Sequence, residues 1–198
     1  MIAQPDRHYL PPDEYLAAEA DSPVKHEYHD GEVYAMAGAS EEHNLIAGNI
    51  YTLLRSHLRG SGCQTFFADM KVHIERTNRY FYPDLLVTCD PRDRDNRYIK
   101  QHPKLIIEIL SESTEAFDRG DKFHHYRQLD SLEEYVLVSQ NRPIIDVMRR
   151  GDSSWQFDTY TADEIFRLDS LDFEGAIAQI YEDITFPVPQ SNPLDATS

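Results

Sequence analysis

The 198-residue chain carries 35 Asp and Glu residues against 19 Lys and Arg, a formal net charge of −16 at pH 7. Hydrophobic residues make up 40% and charged residues 27%, a balance typical of a globular protein. The sequence has no apolar run near the roughly 18–20 residues of a membrane span and no secretory signal pattern, so we expect neither. Phosphate backbones are bound mainly through Lys and Arg, so the acidic surplus weighs against nucleic acid as a partner unless a cation or a basic patch offsets it.

Cys63 and Cys89 are the two cysteines of the sequence. They lie outside any CxxC motif, so neither a structural zinc site nor a disulfide framework is expected, although the two residues could pair with each other. A cytoplasmic location is the simplest interpretation of this cysteine usage.

The first two elements are predicted from their proline, glycine and acidic residues. The segment LPPDEYLAAEA (10–20) is predicted as a short helix, because prolines and acidic residues suit the first turn of a helix. The segment KHEYHDGEVYAMAG (25–38) alternates around Asp30 and Gly31, a dipeptide typical of a type I′ turn. We therefore expect an N-terminal helix followed by a β-hairpin.

The clearest periodic element is the segment 40–60. Its apolar residues recur at helical spacing, Ser40 suits the N-cap position, and Gly60 suits the C-terminal stop. We predict one long amphipathic helix over this segment.

Three strands are predicted to follow that helix. The segment 63–75 alternates between apolar and polar residues, 80–89 is largely apolar, and 104–110 is an apolar run interrupted by Glu108. The polar segment 90–103 is predicted as a surface loop.

The rest of the chain completes an α/β pattern. A helix is predicted over 113–132, weakened locally by Gly120, and a buried strand over 134–140, followed by an antiparallel C-terminal extension. We expect residues 1–186 to form a single domain and 187–198 to be a disordered tail. The order helix, three strands, helix, strand predicts an α/β (α+β) fold around a mixed sheet.

Two acidic residues stand inside apolar strands. Asp84 follows Pro83 and precedes an apolar run, and Glu108 interrupts the next strand. A buried carboxylate has to be paired, protonated or bound to a metal. If the two strands are neighbours, both acids meet at one end of the sheet, where paired oxygen ligands suit Mg²⁺ or Mn²⁺. For Asp84 a second interpretation stays open, a hydrogen bond to the backbone at a kink caused by Pro83.

The helix that follows the Glu108 strand carries a candidate ammonium, Lys122. Asp118 and Tyr126 lie four residues before and after it, on the same helix face. On helix geometry alone, an exposed Asp118–Lys122 pair worth a few tenths of a kcal/mol is the simpler interpretation.

The pair Pro83-Asp84, followed by Glu108 at the end of an apolar strand, resembles the PD-(D/E)XK nuclease superfamily, whose core is helix, three strands, helix, strand. The segments EYHDGEVYAMAGASEEHNLI, YPDLLV and LIIEILSESTEAFDRGDKFHHYRQLDSLEEYVLV resemble its Uma-type restriction endonuclease family, from residue 10 to residue 183. The resemblance implies a restriction-endonuclease-like fold and an Mg²⁺-dependent nuclease acting on DNA, with Asp84 and Glu108 as catalytic metal ligands. It also implies a homodimer, because superfamily enzymes are often dimers.

The sequence departs from the superfamily pattern at one position. The pattern has a lysine two residues after the second acid, where this chain has Leu110. The Uma-type family carries its lysine on the following helix, a position that corresponds to Lys122. The resemblance therefore implies that Lys122 assists the attack of water on a phosphate. We favour this role over the exposed Asp118–Lys122 ion pair.

Six further side chains are candidates for the surroundings of this site. Superfamily nucleases place a further acid on the first core helix, and Glu41 or Glu42 would match it, although acids in a first turn also complement the helix dipole. His43, in the same turn, either approaches the site or caps the helix. Asp118 and Tyr126 share the face of the candidate lysine, and Glu27 beside the hairpin is the most remote candidate.

The leading hypothesis is a metal-dependent phosphodiesterase acting on DNA. The cations of the 90–103 loop are candidates for contact with a phosphate backbone: Arg92, Arg94, Arg97 and Lys100. The alternative is a catalytically silent nuclease-like module for interaction or dimerisation, which the acidic surplus and the displaced lysine favour. A metal phosphoesterase acting on a small or RNA substrate would share the same site.

Overall fold

The structure of the protein, a computed structural model, describes residues 9–186. The predicted disordered tail, 187–198, lies outside the described residues. None of the helices between residues 9 and 186 has the length and apolar character that crossing a bilayer requires.

The described residues form five α-helices and thirteen strands. The helices are α1 Pro12–Ala20, α2 Glu41–His57, α3 Glu115–Phe117, α4 Phe123–Tyr126 and α5 Ile177–Ile180. A π-helical turn, Asp118–Lys122, joins α3 to α4, and we call this continuous stretch the helical segment 115–126. The strands are β1 His26–His29, β2 Glu32–Ala35, β3 Gln64–Phe67, β4 Lys71–Ile74, β5 Arg79–Phe81, β6 Leu85–Thr88, β7 Ile99–Lys100, β8 Leu105–Leu110, β9 Glu134–Ser139, β10 Ile144–Arg150, β11 Trp155–Thr161, β12 Ile165–Leu168 and β13 Phe173–Ala176. Short 3₁₀ turns lie at Glu75–Thr77, Pro91–Arg94 and Asp169–Leu171.

The N-terminal helix, the hairpin and the long helix are confirmed. Strands β1 and β2 pair antiparallel across Asp30 and Gly31, both with positive φ (47° and 99°), as the predicted turn requires. The Ser40 hydroxyl accepts a hydrogen bond from the His43 N–H at 3.2 Å and caps α2, which ends before Gly60. The chain therefore enters and leaves its principal helix where the sequence predicts.

A six-stranded central sheet has the order β11-β10-β9-β8-β6-β3. Strands β8 and β9 are parallel, and the other neighbouring pairs are antiparallel. Along the chain, α2, β3, β6, β8, the helical segment 115–126 and β9 follow the predicted order helix, three strands, helix, strand. Strands β10 and β11 form the predicted antiparallel extension, and β12 pairs with β13 in a separate two-stranded sheet.

Two long predicted strands are wrong, because each is divided between two sheets. The segment 63–75 forms β3 in the central sheet and β4 in a second sheet of order β2-β1-β5-β4-β7. Ala68 adopts a left-handed conformation (φ 65°) at the crossing. The segment 80–89 returns from β5 to β6, with the break at Pro83 and Asp84. The acid that the sequence placed within a strand therefore lies at the junction of two sheets.

The central sheet is covered on both faces. On one face α2 buries Ile46, Ile50 and Leu54 against the odd-numbered residues of β8. On the other face, the even-numbered positions Ile106 and Leu110 pack with Tyr126 and with residues of the second sheet. Because side chains alternate along a strand, Glu108 points to this second face, beneath the helical segment 115–126.

The prediction that residues 90–103 form a surface loop is wrong in part. Asp93 and Lys100 are 3% exposed, and the segment contains β7. Asp93 accepts hydrogen bonds from the Thr88 hydroxyl and from the Gln101 N–H, which fold the segment back onto β6. The two cysteines form a disulfide, which joins Cys63, just before β3, to Cys89, just after β6.

Candidate functional site

Asp84 links the sheet junction to the strand that carries the second acid. Its Oδ2 accepts a hydrogen bond of 2.7 Å from the Ile109 N–H, and its Oδ1 lies 3.1 Å from Nε2 of His43. The Asp84 backbone carbonyl accepts from the Ala68 N–H at 2.9 Å. The carboxylate is 21% exposed, so it is bonded to the backbone of β8 and still reaches the surface.

Glu108 lies almost fully buried behind Asp84, at 3% exposure. Its Oε1 accepts a hydrogen bond of 3.1 Å from the Tyr126 hydroxyl and lies 2.9 Å from Nζ of Lys122. Burial raises the pKa of Glu108 well above its usual range; the charges of Asp118 and Asp84 add to this effect, and Lys122 opposes it. Asp84 and Glu108 are thus close enough for the charge of one to act on the other.

Lys122 is the centre of the cluster. Its Nζ lies 2.9 Å from Glu108 Oε1, 3.2 Å from Glu27 Oε1 and 3.5 Å from Asp118 Oδ1, and the residue is 6% exposed. Burial alone would lower its pKa, but the three carboxylates outweigh burial and raise the pKa of Lys122 well above the usual value. The interpretation of an exposed helix pair is therefore wrong, because both partners of that pair are buried.

Glu27 joins the cluster from the N-terminal hairpin. Besides Lys122, its Oε1 accepts a hydrogen bond of 3.3 Å from the Tyr82 N–H, and its Oε2 lies 3.7 Å from Nε2 of His29. Burial pushes its pKa upward, but the attraction of Lys122 and these hydrogen bonds outweigh it and leave the pKa of Glu27 below the usual value. Glu27 therefore faces the ammonium as a carboxylate.

The structure brings together most of the side chains that the sequence singled out. His43 contacts Asp84, Tyr126 contacts Glu108, and Asp118 contacts the lysine. Burial raises the pKa of Asp118, while Lys122 opposes the rise. Glu42 instead interacts with the Ser40 hydroxyl and with its own backbone N–H, which lower its pKa, so it serves the start of α2.

The oxygen ligands of this cluster suit a hard divalent cation. Within residues 9–186, no group of three or more His, Cys, Asp and Glu side chains is arranged as a metal cage. Mg²⁺, however, is commonly held by one or two carboxylates, with water and substrate phosphate completing its shell. Asp84 and Glu108 provide such a pair. Glu108, Glu27 and Asp118 place three carboxylates around one ammonium, and Asp84 lies near enough to Glu108 to raise its pKa, so the cluster has a surplus of acidic groups that a cation would neutralise.

Three of the four loop cations are engaged within the protein, and one of them is Arg94, which donates a hydrogen bond of 3.2 Å to the Gly62 carbonyl. Lys100 is buried and donates hydrogen bonds to the backbone carbonyls of Asp93 and Asn96, at 2.5 and 2.6 Å. Arg92 donates two or more hydrogen bonds to the Asp90 carboxylate. An open groove of about 750 Å³ beside this segment is lined by both basic and acidic side chains and includes no member of the Lys122 cluster.

Comparisons with known proteins agree with this architecture. Residues 12–178 match the family Uma2, which is described as "Putative restriction endonuclease". The chain therefore belongs to the Uma2 family, and the resemblance seen in its sequence is confirmed.

Relatives and a solved structure extend this result. The chain is 40% identical over 178 residues to the uncharacterized protein slr1290 of Synechocystis sp., covering 89% of this chain and 94% of that one. It is 35% identical over 145 residues to sll1609 of the same organism, covering 72% and 82%. A crystal structure from Anabaena variabilis, described as a putative nuclease belonging to DUF820, superposes with a TM-score of 0.71 at 16% identity over 85% of this chain and 96% of that one. The restriction-endonuclease-like fold is therefore confirmed.

Proposed function

We propose that this protein is a metal-dependent endonuclease that hydrolyses phosphodiester bonds in DNA. The observation that carries the proposal is the contact between Lys122 and Glu108. An ammonium from the helical segment reaches within 2.9 Å of the sheet carboxylate, although the strand position that bears the lysine in the superfamily pattern is Leu110. Membership of a nuclease family supports the same reaction class.

Asp84 and Glu108 are the proposed ligands of Mg²⁺, for which Mn²⁺ would substitute. The bound ion would lower the pKa of a water molecule and stabilise charge on a phosphoryl oxygen. Asp84 offers a partly exposed carboxylate toward solvent, and the Ile109 N–H fixes the orientation of that group. Glu108 supplies a second oxygen from a buried position, and the Tyr126 hydroxyl fixes its orientation.

Lys122 is the proposed catalytic ammonium. In the proposed reaction a water oxygen bonds to phosphorus and gives up one proton, the bond from phosphorus to the leaving oxygen breaks, and the leaving oxygen takes up a proton to become a hydroxyl. Negative charge on the phosphoryl oxygens grows during this attack, and a positioned cation stabilises it. Lys122 holds its charge near the two acids because three carboxylates surround it.

Isothermal titration of Mn²⁺ tests the ligand assignment. The wild type and Lys122→Ala should bind the ion, and Glu108→Gln should not. Circular dichroism on each variant establishes that it is folded at the temperature of the titration. A folded wild type that binds no Mn²⁺ would contradict the metal assignment and favour the catalytically silent module.

A thermal assay provides an independent check of the same site. A ligand that binds the native state stabilises it by mass action, by about 2.7 kcal/mol at one hundred times its dissociation constant. Millimolar Mg²⁺ should therefore raise the melting temperature of the wild type and leave that of Asp84→Asn unchanged. A screen of Mg²⁺-dependent cleavage on single-stranded DNA, duplex DNA and RNA would then define the substrate.

A further inference from the structure

The acids that contact Lys122 fall into two groups. Glu108 is one of the two proposed metal ligands, on β8. Glu27 comes from the N-terminal hairpin and Asp118 from the π-helical turn, and the proposed function assigns neither of them a role. Both are buried, at 9% and 3% exposure, and both lie within 3.5 Å of the ammonium.

The hydrogen-bonding capacity of the lysine explains this arrangement. An ammonium has three N–H donors, and three carboxylates surround Lys122 at 2.9, 3.2 and 3.5 Å. The ammonium is buried among three carboxylates, so in the metal-free protein it is not presented to solvent or to a phosphate. A lysine whose sole carboxylate partner was Glu108 would also lose its anchor once that carboxylate turned to a cation.

Glu27 and Asp118 are themselves held by groups outside the lysine. The Tyr82 N–H donates to Glu27. The backbone of Asp118 lies within the helical segment, and its carbonyl accepts a hydrogen bond of 3.0 Å from the buried Tyr135 hydroxyl. The two carboxylates therefore reach the ammonium from separate elements, the hairpin and the π-helical turn, and these contacts do not involve Glu108.

We propose that Glu27 and Asp118 are positioning residues that hold Lys122 in place independently of Glu108, so that cation binding at Glu108 releases one ammonium N–H toward the substrate. This inference rests on the proposed function for its catalytic meaning. We call the pair of carboxylates from Glu27 and Asp118 the cradle of Lys122. The cradle is a property of the folded chain and is measurable without a metal.

Nuclear magnetic resonance of the lysine ammonium groups in ¹⁵N-lysine-labelled protein tests the cradle. The Lys122 signal is assigned by its absence in Lys122→Met. In metal-free protein it should persist in Glu108→Gln and be lost in the double variant Glu27→Gln/Asp118→Asn, where solvent exchange is no longer hindered. Glu115→Gln breaks an exposed ion pair with Arg119 on the same helical segment and should leave the signal unchanged.

Titration with Mn²⁺ separates positioning from ligation. Glu27→Gln and Asp118→Asn should still bind the ion, weakened by no more than the roughly 10–100-fold typical of residues that support metal ligands, while Glu108→Gln should lose it. Loss of binding in either single variant would make that acid a ligand and overturn the proposal. A Lys122 signal that is unchanged in the double variant, or lost in Glu108→Gln, would overturn it as well.

The two arms fail independently. If the wild type binds no Mn²⁺, the proposed metal function fails, and the metal-free signal still decides whether the cradle exists. If the double variant does not fold, the signals of Glu27→Gln and Asp118→Asn measured singly replace it, and each should show a shifted or broadened Lys122 resonance. An unshifted signal in both singles would overturn the cradle.

Discussion

Because three carboxylates surround the Lys122 ammonium, we expect removal of the ammonium to destabilise the protein far more than removal of one acid. Replacing Lys122 with methionine keeps the length of the side chain but leaves Glu27, Glu108 and Asp118 buried without their cation. Removing one partner from a buried ion pair typically costs about 3–5 kcal/mol. Glu108→Gln removes one of the acids, retains an acceptor for Tyr126, and leaves the lysine with two carboxylates. It should therefore cost far less than Lys122→Met in the metal-free protein.

The cost of Lys122→Met should also depend on pH. Glu108 and Asp118 have pKa values raised by burial in the folded protein. Between its unfolded and folded pKa, such an acid binds more protons in the folded state, so the free energy of unfolding falls as pH rises through that window. For Glu108 this pH range begins near 4.5, the ordinary pKa of a glutamate side chain. Without the ammonium the folded pKa values rise further, so the loss should be larger at pH 8 than at pH 5.

Urea and thermal unfolding with a chelator present, at pH 5 and pH 8, measure this effect. A change of 1 kcal/mol shifts the melting temperature by about 2–4 °C in a domain of this size, so Lys122→Met should melt roughly 6–20 °C lower at pH 8. Equal losses for Lys122→Met and Glu108→Gln, or a loss that does not grow with pH, would refute the assignment of an under-neutralised acidic cluster.

Three further predictions concern features outside the cluster. Replacing Cys63 and Cys89 with serine should lower the free energy of unfolding, measured in urea titrations, by about 3.5 kcal/mol relative to the oxidised wild type, from the entropy of a loop with sequence separation 26; an unchanged free energy of unfolding would contradict this. Glu134→Gln should lower the free energy of unfolding by about 3–5 kcal/mol, because the buried Glu134 carboxylate pairs with Arg149 at 2.9 Å. The same variant should bind Mn²⁺ as the wild type does, and an altered metal affinity would contradict the separation of Glu134 from the candidate site. Burial, aided by neighbouring positive charge, lowers the pKa of His125 to about 4, so a proton-resonance titration should find the ring neutral at pH 5.5, and a midpoint near 6.5 would be inconsistent with this environment.

The elements that local chemistry specifies were predictable from the sequence. Ser40 caps α2 because its hydroxyl meets the His43 N–H, a contact three residues away. Asp30 and Gly31 form the hairpin turn because they tolerate positive φ. Glu108 was identifiable because an acid inside an apolar strand needs a partner, whichever partner that is.

The features that depend on distant contacts were not predictable. Alternation continues through Ala68 although the chain there passes from one sheet to another, because a periodic pattern records which residues are buried and not which sheet buries them. Helix spacing predicts an exposed pair of Lys122 and Asp118. Both residues are buried because the helical segment packs over β8, and helix spacing carries no information about that packing. Glu27 precedes Lys122 by 95 positions in the sequence, and no local signal connects the two.

Lys122 lies on a π-helical turn, whereas Asp84 and Glu108 are held by a core strand, so we expect local unfolding to affect the lysine before the two acids. The acids Asp84 and Glu108 are tied to β8, a strand covered on both faces. Lys122 belongs to three short helical pieces with several exposed residues, a kind of structure that opens at lower free energy than a core strand. A local opening of this segment would remove the ammonium and leave the two carboxylates in place, so the proposed cation site would outlast the proposed catalytic arrangement.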